Sequence, residues 1–157
     1  MKALGAAPIS IEAIEELLAV RPELTVDGAR PTVDELAARL ASFWLPDETV
    51  VYLGLAGTSL RARIRDYYKT PLGARRPHAG GWFLKTLANI DDLFVYYAQT
   101  DAPNAAEDAM LRAFSGGVSQ ATLDKVRDPS HPFPFANLEW PPGVRKAHGI
   151  KGARGSL

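Results

Sequence analysis

Cysteine is absent from the 157 residues, which excludes disulfides, thiolate zinc sites and a thiol nucleophile. No apolar run approaches the ~18 residues of a membrane span, and residues 1–10 lack the charged and apolar regions of a signal peptide. No P-loop, zinc-ligand spacing or Ser/His/Asp order occurs, and no internal repeat is present. The chain also lacks a net charge, with 18 basic and 18 acidic side chains. A soluble, cytoplasmic protein is expected. Hydrophobic residues make up 46% of the sequence, enough for one compact domain that buries roughly two-thirds of its unfolded surface.

The zero balance conceals a strong segregation. Residues 1–50 hold 4 basic and 9 acidic side chains, residues 51–90 hold 7 and 1, residues 91–140 hold 3 and 8, and residues 141–157 hold 4 and none. Beyond a Debye length of ~8 Å charges are screened, so a polyanion responds to such local excess rather than to the total. The same blocks are also compatible with solvated faces that meet no partner.

Periodicity gives the element order. Ser10 caps a helix whose inner face is Ile11, Ile14, Leu17 and Leu18 and which ends at Pro22. Residues 23–26 read as a short strand before the Asp27-Gly28 turn. Thr32-Val33-Asp34-Glu35 is a capping box opening a helix with Leu36, Leu40 and Phe43 inward. The continuously apolar, β-branched run 49–55 predicts a buried strand, and 93–99 predicts a second. Between them, Thr58 or Ser59 caps a helix over 60–68, a glycine-rich loop covers 70–81, and a short helix follows over 82–87. Asp101 or Asn104 caps a helix through Phe114 that Gly116-Gly117 ends, and a weaker helix spans about 120–127. Proline and glycine beyond Asp128 predict extended or loop structure. The expected fold is α/β (α+β): a small, central, mostly antiparallel sheet flanked by helices. Residues 1–48 form a helical extension packed on a core of 49–140, and 141–157 form a basic tail.

The richest stretch runs from Val51 to Tyr68. On the helix, Leu60, Ile64 and Tyr68 fall within a ~80° sector and should face the core. Arg63 and Tyr67, four apart, line one edge of that sector, and Arg61 with Arg65 line the other. One edge thus offers a guanidinium and a phenol above the end of a strand carrying Tyr52. Such a fork with phenolic hydroxyls suits a phosphate oxyanion, although amphipathic rim and solvated surface would have the same pattern. Glu107 aligns with Leu111 and Phe114, so its carboxylate lies along an apolar face and needs a partner, a metal or an arginine. The basic loop Arg75-Arg76-Pro77-His78, leading to Lys85, offers a phosphate clamp or a mobile surface.

Tyr52-Leu53-Gly54 followed by Leu60-Arg61-Ala62-Arg63-Ile64 resembles the second half of the GIY-YIG nuclease signature and its "LRxRL" helix. The first half is missing; Ala41, Ser42 and Phe43 stand where it would lie, so the hairpin partner is either 43–45 or 24–26. The resemblance implies a metal-dependent nuclease acting on nucleic acid, DNA first. Its catalytic groups would be Tyr52, Arg63, Tyr67 and Glu107, the last holding Mg²⁺ or Mn²⁺. It matches Gly54 to the family's glycine and Asn137, in Pro134-Phe135-Ala136-Asn137, to a trailing asparagine. Arg61, Arg75, Arg76, His78, Lys85, Arg145 and Lys146 would join Gly54 and Asn137 in contacting the nucleic acid. A binding module that lost the chemistry and a protein-interaction domain are the alternatives.

Overall fold

A computed structural model describes residues 5–74, 82–140 and 142–153. It is a mixed helix-and-strand structure with five α-helices, namely α1 Ile11–Val20, α2 Val33–Ala41, α3 Leu60–Lys69, α4 Pro103–Gly117 and α5 Gln120–Leu123. Its strands are two residues each: β1 Thr25–Val26, β2 Glu139–Trp140, β3 Val144–Arg145 and β4 Ile150–Lys151. They form two separate antiparallel pairs, β1 with β4 and β2 with β3.

The helix starts follow their caps. Ser10 accepts from the Ala13 amide, Ser59 from Ala62, and Thr32 and Glu35 form a reciprocal capping box. Each such cap satisfies amides that the first turn leaves without intrahelical partners, at about 1 kcal/mol apiece. Helix α4 departs from expectation at both ends. Its N-cap is Ala102, with no side-chain cap from Asp101 or Asn104, and Pro103 supplies a preset first turn. The helix also runs through Gly116 and Gly117, which the expected stop would have excluded.

The two expected long strands are corrected. Residues 49–55 are in no strand; their outside partners are Ala136, whose amide donates to the Val51 carbonyl (2.9 Å), and the Asn137 side chain. Residues 93–99 form no strand either, and Phe94, Tyr96 and Tyr97 lie open to solvent. The expected central sheet is therefore absent among the described residues. An apolar run has the composition of a buried strand, but becomes one only when another strand completes its ladder.

The core also redistributes the expected segments. Ile14, Leu17, Leu36 and Leu40 from α1 and α2 meet Trp82, Phe83, Phe135, Ile150 and Ala153 in one cluster. Phe83 packs tilted against Phe135 at 5.3 Å, and Trp44 packs edge-on against Phe135 at 5.2 Å. Residues 5–48 thus supply half the core instead of packing on a separate one. The described part of the expected basic tail is built in as well, since Ile150 is buried and pairs with Val26. Lys146 is withdrawn altogether. Its Nζ donates to the carbonyls of Pro134 (3.0 Å) and Phe135 (2.9 Å), beneath the rings of Phe43 and Phe83. Its long aliphatic stem makes such burial possible, and no charge is left at the surface to meet a polyanion.

Burial lowers the Lys146 pKa from 10.5 to about 7, opposed by the charge of Asp128. Above about pH 7 the folded lysine has lost its proton while the unfolded one keeps it up to about 10.5. The unfolded state then binds more protons, so stability rises with pH across that window and is flat in this term below it. Denaturant titrations between pH 7.5 and 9.5 should show the rise, and Lys146→Met should abolish it.

Candidate functional site at the start of helix α3

The extended segment before α3 is held by one side chain. Asn137, buried, accepts the Leu53 amide with Oδ1 and donates Nδ2 to the Leu53 carbonyl, both at 2.8 Å. The amide thereby imitates the edge of a neighbouring strand. Asn137 was expected at the nucleic acid; its polar atoms are instead spent inside the fold. Gly54 has a similar local duty. A Cβ there would lie 2.6 Å from the Tyr52 hydroxyl and 2.8–2.9 Å from the ring carbons. Its backbone is not in the left-handed region, so the need for glycine comes from the ring and not from the turn.

Tyr52, so placed, meets the first turns of α3. The Arg63 guanidinium lies close enough to its hydroxyl to act on it by charge. Glu107, in the second turn of α4, reaches the same point from the other side: the Leu55 amide is within its hydrogen-bonding reach, and the Arg63 charge acts on it. Tyr67, one turn beyond Arg63, interacts with Tyr52 and packs on the core. The Lys85 ammonium lies 5.0 Å above the Tyr67 ring and donates to the Thr70 carbonyl. Tyr52, Arg63, Tyr67, Glu107 and Lys85 therefore form one connected group.

The other expected residues lie apart from it. Arg61 is exposed on α3, and Arg65 pairs weakly with Asp66 at 3.4 Å. Arg145 sits on β3 facing Glu139 at 3.6 Å, while Arg75, Arg76 and His78 lie outside the described residues. The expected inward trio is also modified, because Tyr68 is half exposed and Tyr67 takes the core-facing place. Tyr68 stands edge-on to it at 5.9 Å.

Beside this group opens a cleft of about 260 Å³ lined by Leu55, Gly57, Thr58, Ser59, Arg63 and Asp66. Asp66 was not among the expected site residues. Its place three residues after Arg63 carried a signal, since that spacing puts both on one side of α3. The cleft's floor is a helix N-terminus, where the unpaired amides favour an anion.

Burial dominates the electrostatics. It raises the Tyr52 pKa above 10, against the charge of Arg63, with Glu107 adding to the rise. Burial raises Tyr67 further, reinforced by Tyr52 and Tyr68. Both phenols hold their protons at neutral pH. Burial likewise raises the Glu107 carboxyl, opposed by the Leu55 amide and Arg63. It also lowers Lys85.

No group of three or more His, Cys, Asp or Glu side chains suited to a metal occurs among the described residues. A caged zinc or calcium ion does not fit such a site. Mg²⁺ demands less of the protein, since it keeps much of its water and takes one or two protein carboxylates with substrate phosphates; the half-buried Glu107 is the carboxylate of this group.

Gly54→Ala should cost about 1–3 kcal/mol in denaturant unfolding, the usual range for overpacking. In a Tyr52→Ala background the same change should be nearly neutral, a non-additivity read directly from the double-mutant cycle. An equal cost in both backgrounds would show that the ring is not what constrains Gly54.

No protein-family model matches the chain, and no curated protein or solved structure is significantly similar to it.

Proposed function

We propose that the chain is a metal-dependent nuclease of the GIY-YIG type, hydrolysing phosphodiester bonds in DNA. The observation that carries the reading is the convergence of Arg63, Tyr52 and Glu107, from two helices and an extended segment, beside a cleft at a helix N-terminus. A phosphate in that cleft meets the Arg63 guanidinium and the α3 amides, donors preset for the charge that grows on its oxygens. Tyr52, protonated, orients the attacking water or a phosphate oxygen as a donor, and Tyr67 steadies it from the core side. Water's oxygen bonds to phosphorus as the ester P–O bond breaks, and the proton passes to solvent or the leaving oxygen. A Mg²⁺ or Mn²⁺ ion held by Glu107 would supply Lewis acidity toward the phosphate. The exposed cations Arg61, Arg65 and Lys69 of α3 extend the contact along the backbone.

A second reading has its own support. Burial keeps both phenols protonated, so no general base is evident in the group. The same cleft then serves a module that binds nucleic acid without cutting it.

Purified protein with supercoiled plasmid and Mg²⁺ or Mn²⁺ separates the two. Nicking is expected, with Arg63→Ala slower by roughly 10²–10³ and Glu107→Ala inactive, while both variants keep most of their affinity. Binding without nicking in either metal supports the second reading, and no binding at low salt rejects both. Arg61→Ala with Arg65→Ala should flatten the log–log salt dependence of duplex binding by about one to two units, at ~0.9 per phosphate contact. An unchanged slope would remove α3 from the contact surface.

A further inference from the structure

Three rings stand apart from every other exposed large apolar side chain. Phe94, Tyr96 and Tyr97 are 85%, 79% and 78% exposed, whereas the others, including neighbouring Val95, reach at most 52%. They lie on one run, 93–99, in which no backbone group of residues 94–99 is hydrogen-bonded to another described backbone group. The run has the composition of a strand, unpaired edges and its aromatic payload in water. Such an edge is a template for another strand.

The flanking charges select the partner. Asp91 and Asp92 precede the run and Asp101 follows it, so a phosphate backbone laid along it meets like charge at both ends. We propose that the run pairs antiparallel with the same run of a second copy of this chain, about a two-fold axis at Val95. In that register Phe94 faces Tyr96 across the axis in both directions, and Leu93 faces Tyr97. These are aromatic and aliphatic cross-strand pairs that stabilise sheets. Asp92 then faces Ala98 and Asp91 faces Gln99, so no acids oppose one another. A register centred one residue later would set Asp91 against Asp101. Pairing is isologous, as a two-fold interface requires. Three rings of roughly 150–250 Å² each bring on the order of 500 Å² from each copy, near the ~1,000 Å² total of a specific interface. The interface is small, so the dimer is concentration-dependent. Helix α4 begins at Pro103, six residues after Tyr97, so the pairing sets the two Glu107-bearing helices symmetrically about the axis. The proposal stands whether or not the cleft is a nuclease site.

Sedimentation or light scattering of the full chain from 1 to 200 µM should show the mass rising from 17.0 kDa toward twice that value. Val95→Cys creates the sole thiol, and residues facing each other in antiparallel strands lie ~4.5–5.5 Å apart at Cα, within disulfide reach. Mild oxidation should therefore link Val95→Cys into dimers much faster than the exposed control Lys125→Cys. Tyr96→Asp, at a position whose side chain touches solvent, should keep the fold by circular dichroism and weaken self-association at least tenfold. A mass of 17.0 kDa throughout, with Val95→Cys cross-linking no faster than the control, overturns the proposal. So does hydrogen-exchange protection of amides 94–99 in a monomer, which would mean that the run pairs within its own chain. Monomeric protein that binds oligo-dT through Tyr96 would overturn it in favour of base stacking.

Discussion

The double hydrogen bond between Asn137 and the Leu53 peptide is the constraint on which the site depends. The extended segment around Leu53 is in no regular ladder, yet it must present the Tyr52 ring on one side and the Leu55 amide two residues on. Asn137 fixes the N–H of one peptide and the C=O of the next, so the two planes that flank the Leu53 Cα can neither rotate nor slide. Asn137 is itself buried, and its own backbone amide is tied to Pro134 at 2.9 Å. Removing the side chain would leave a partly buried N–H and C=O unpaired, a cost of ~1–3 kcal/mol per orphaned group. The position is thus structural in its contacts and functional in its consequences, since everything Tyr52 and Leu55 do is referred to it.

Arg63 supplies the second element of order. Two groups that burial would make harder to ionise, the Tyr52 phenol and the Glu107 carboxyl, both face this one guanidinium. The Arg63 cation offsets part of the desolvation that raises both groups where the extended segment and α4 bring a phenol and a carboxylate together. The guanidinium nevertheless stays largely exposed, so it is not consumed by that structural duty. A planar fork with several donors can hold the phenol and still offer N–H groups to an oxyanion, which a single ammonium cannot do in the same geometry.

Local rules carried the helical half of the fold and the association of Arg63 with Tyr67 on one side of α3. Caps at Ser10, Thr32 and Ser59 are short-range chemistry, and they mark three helix starts. Spacing alone associated Arg63 with Tyr67 and turned Glu107 inward. The sheet was not legible, because a strand is defined by a partner remote in sequence, and runs 49–55 and 93–99 carry the composition without the ladder. The fate of the cations was equally hidden. Arg145 and Lys146 are adjacent and chemically alike, yet one lies in solvent and the other under two aromatic rings. The two point to opposite sides of β3 or its continuation, and only the tertiary structure says which side is the core. Gly54 was read from a signature and has a steric reason that no signature contains.

The charge segregation acquires a structural sense from these placements. Helix α3 carries exposed cations at Arg61, Arg65 and Lys69, while acids bracket the aromatic run that leads into α4. For the proposed nucleic-acid ligand, these charges would favour α3 over the run, so the two surfaces would not compete for it. At zero net charge no long-range field steers the approach, and the selection is made within about a Debye length of each surface. In the proposed dimer, acids that would oppose a phosphate backbone along the aromatic edge would not oppose a copy of the chain, provided the register keeps acid from acid. The same aspartates that would oppose a polyanion therefore set the alignment in the proposed dimer.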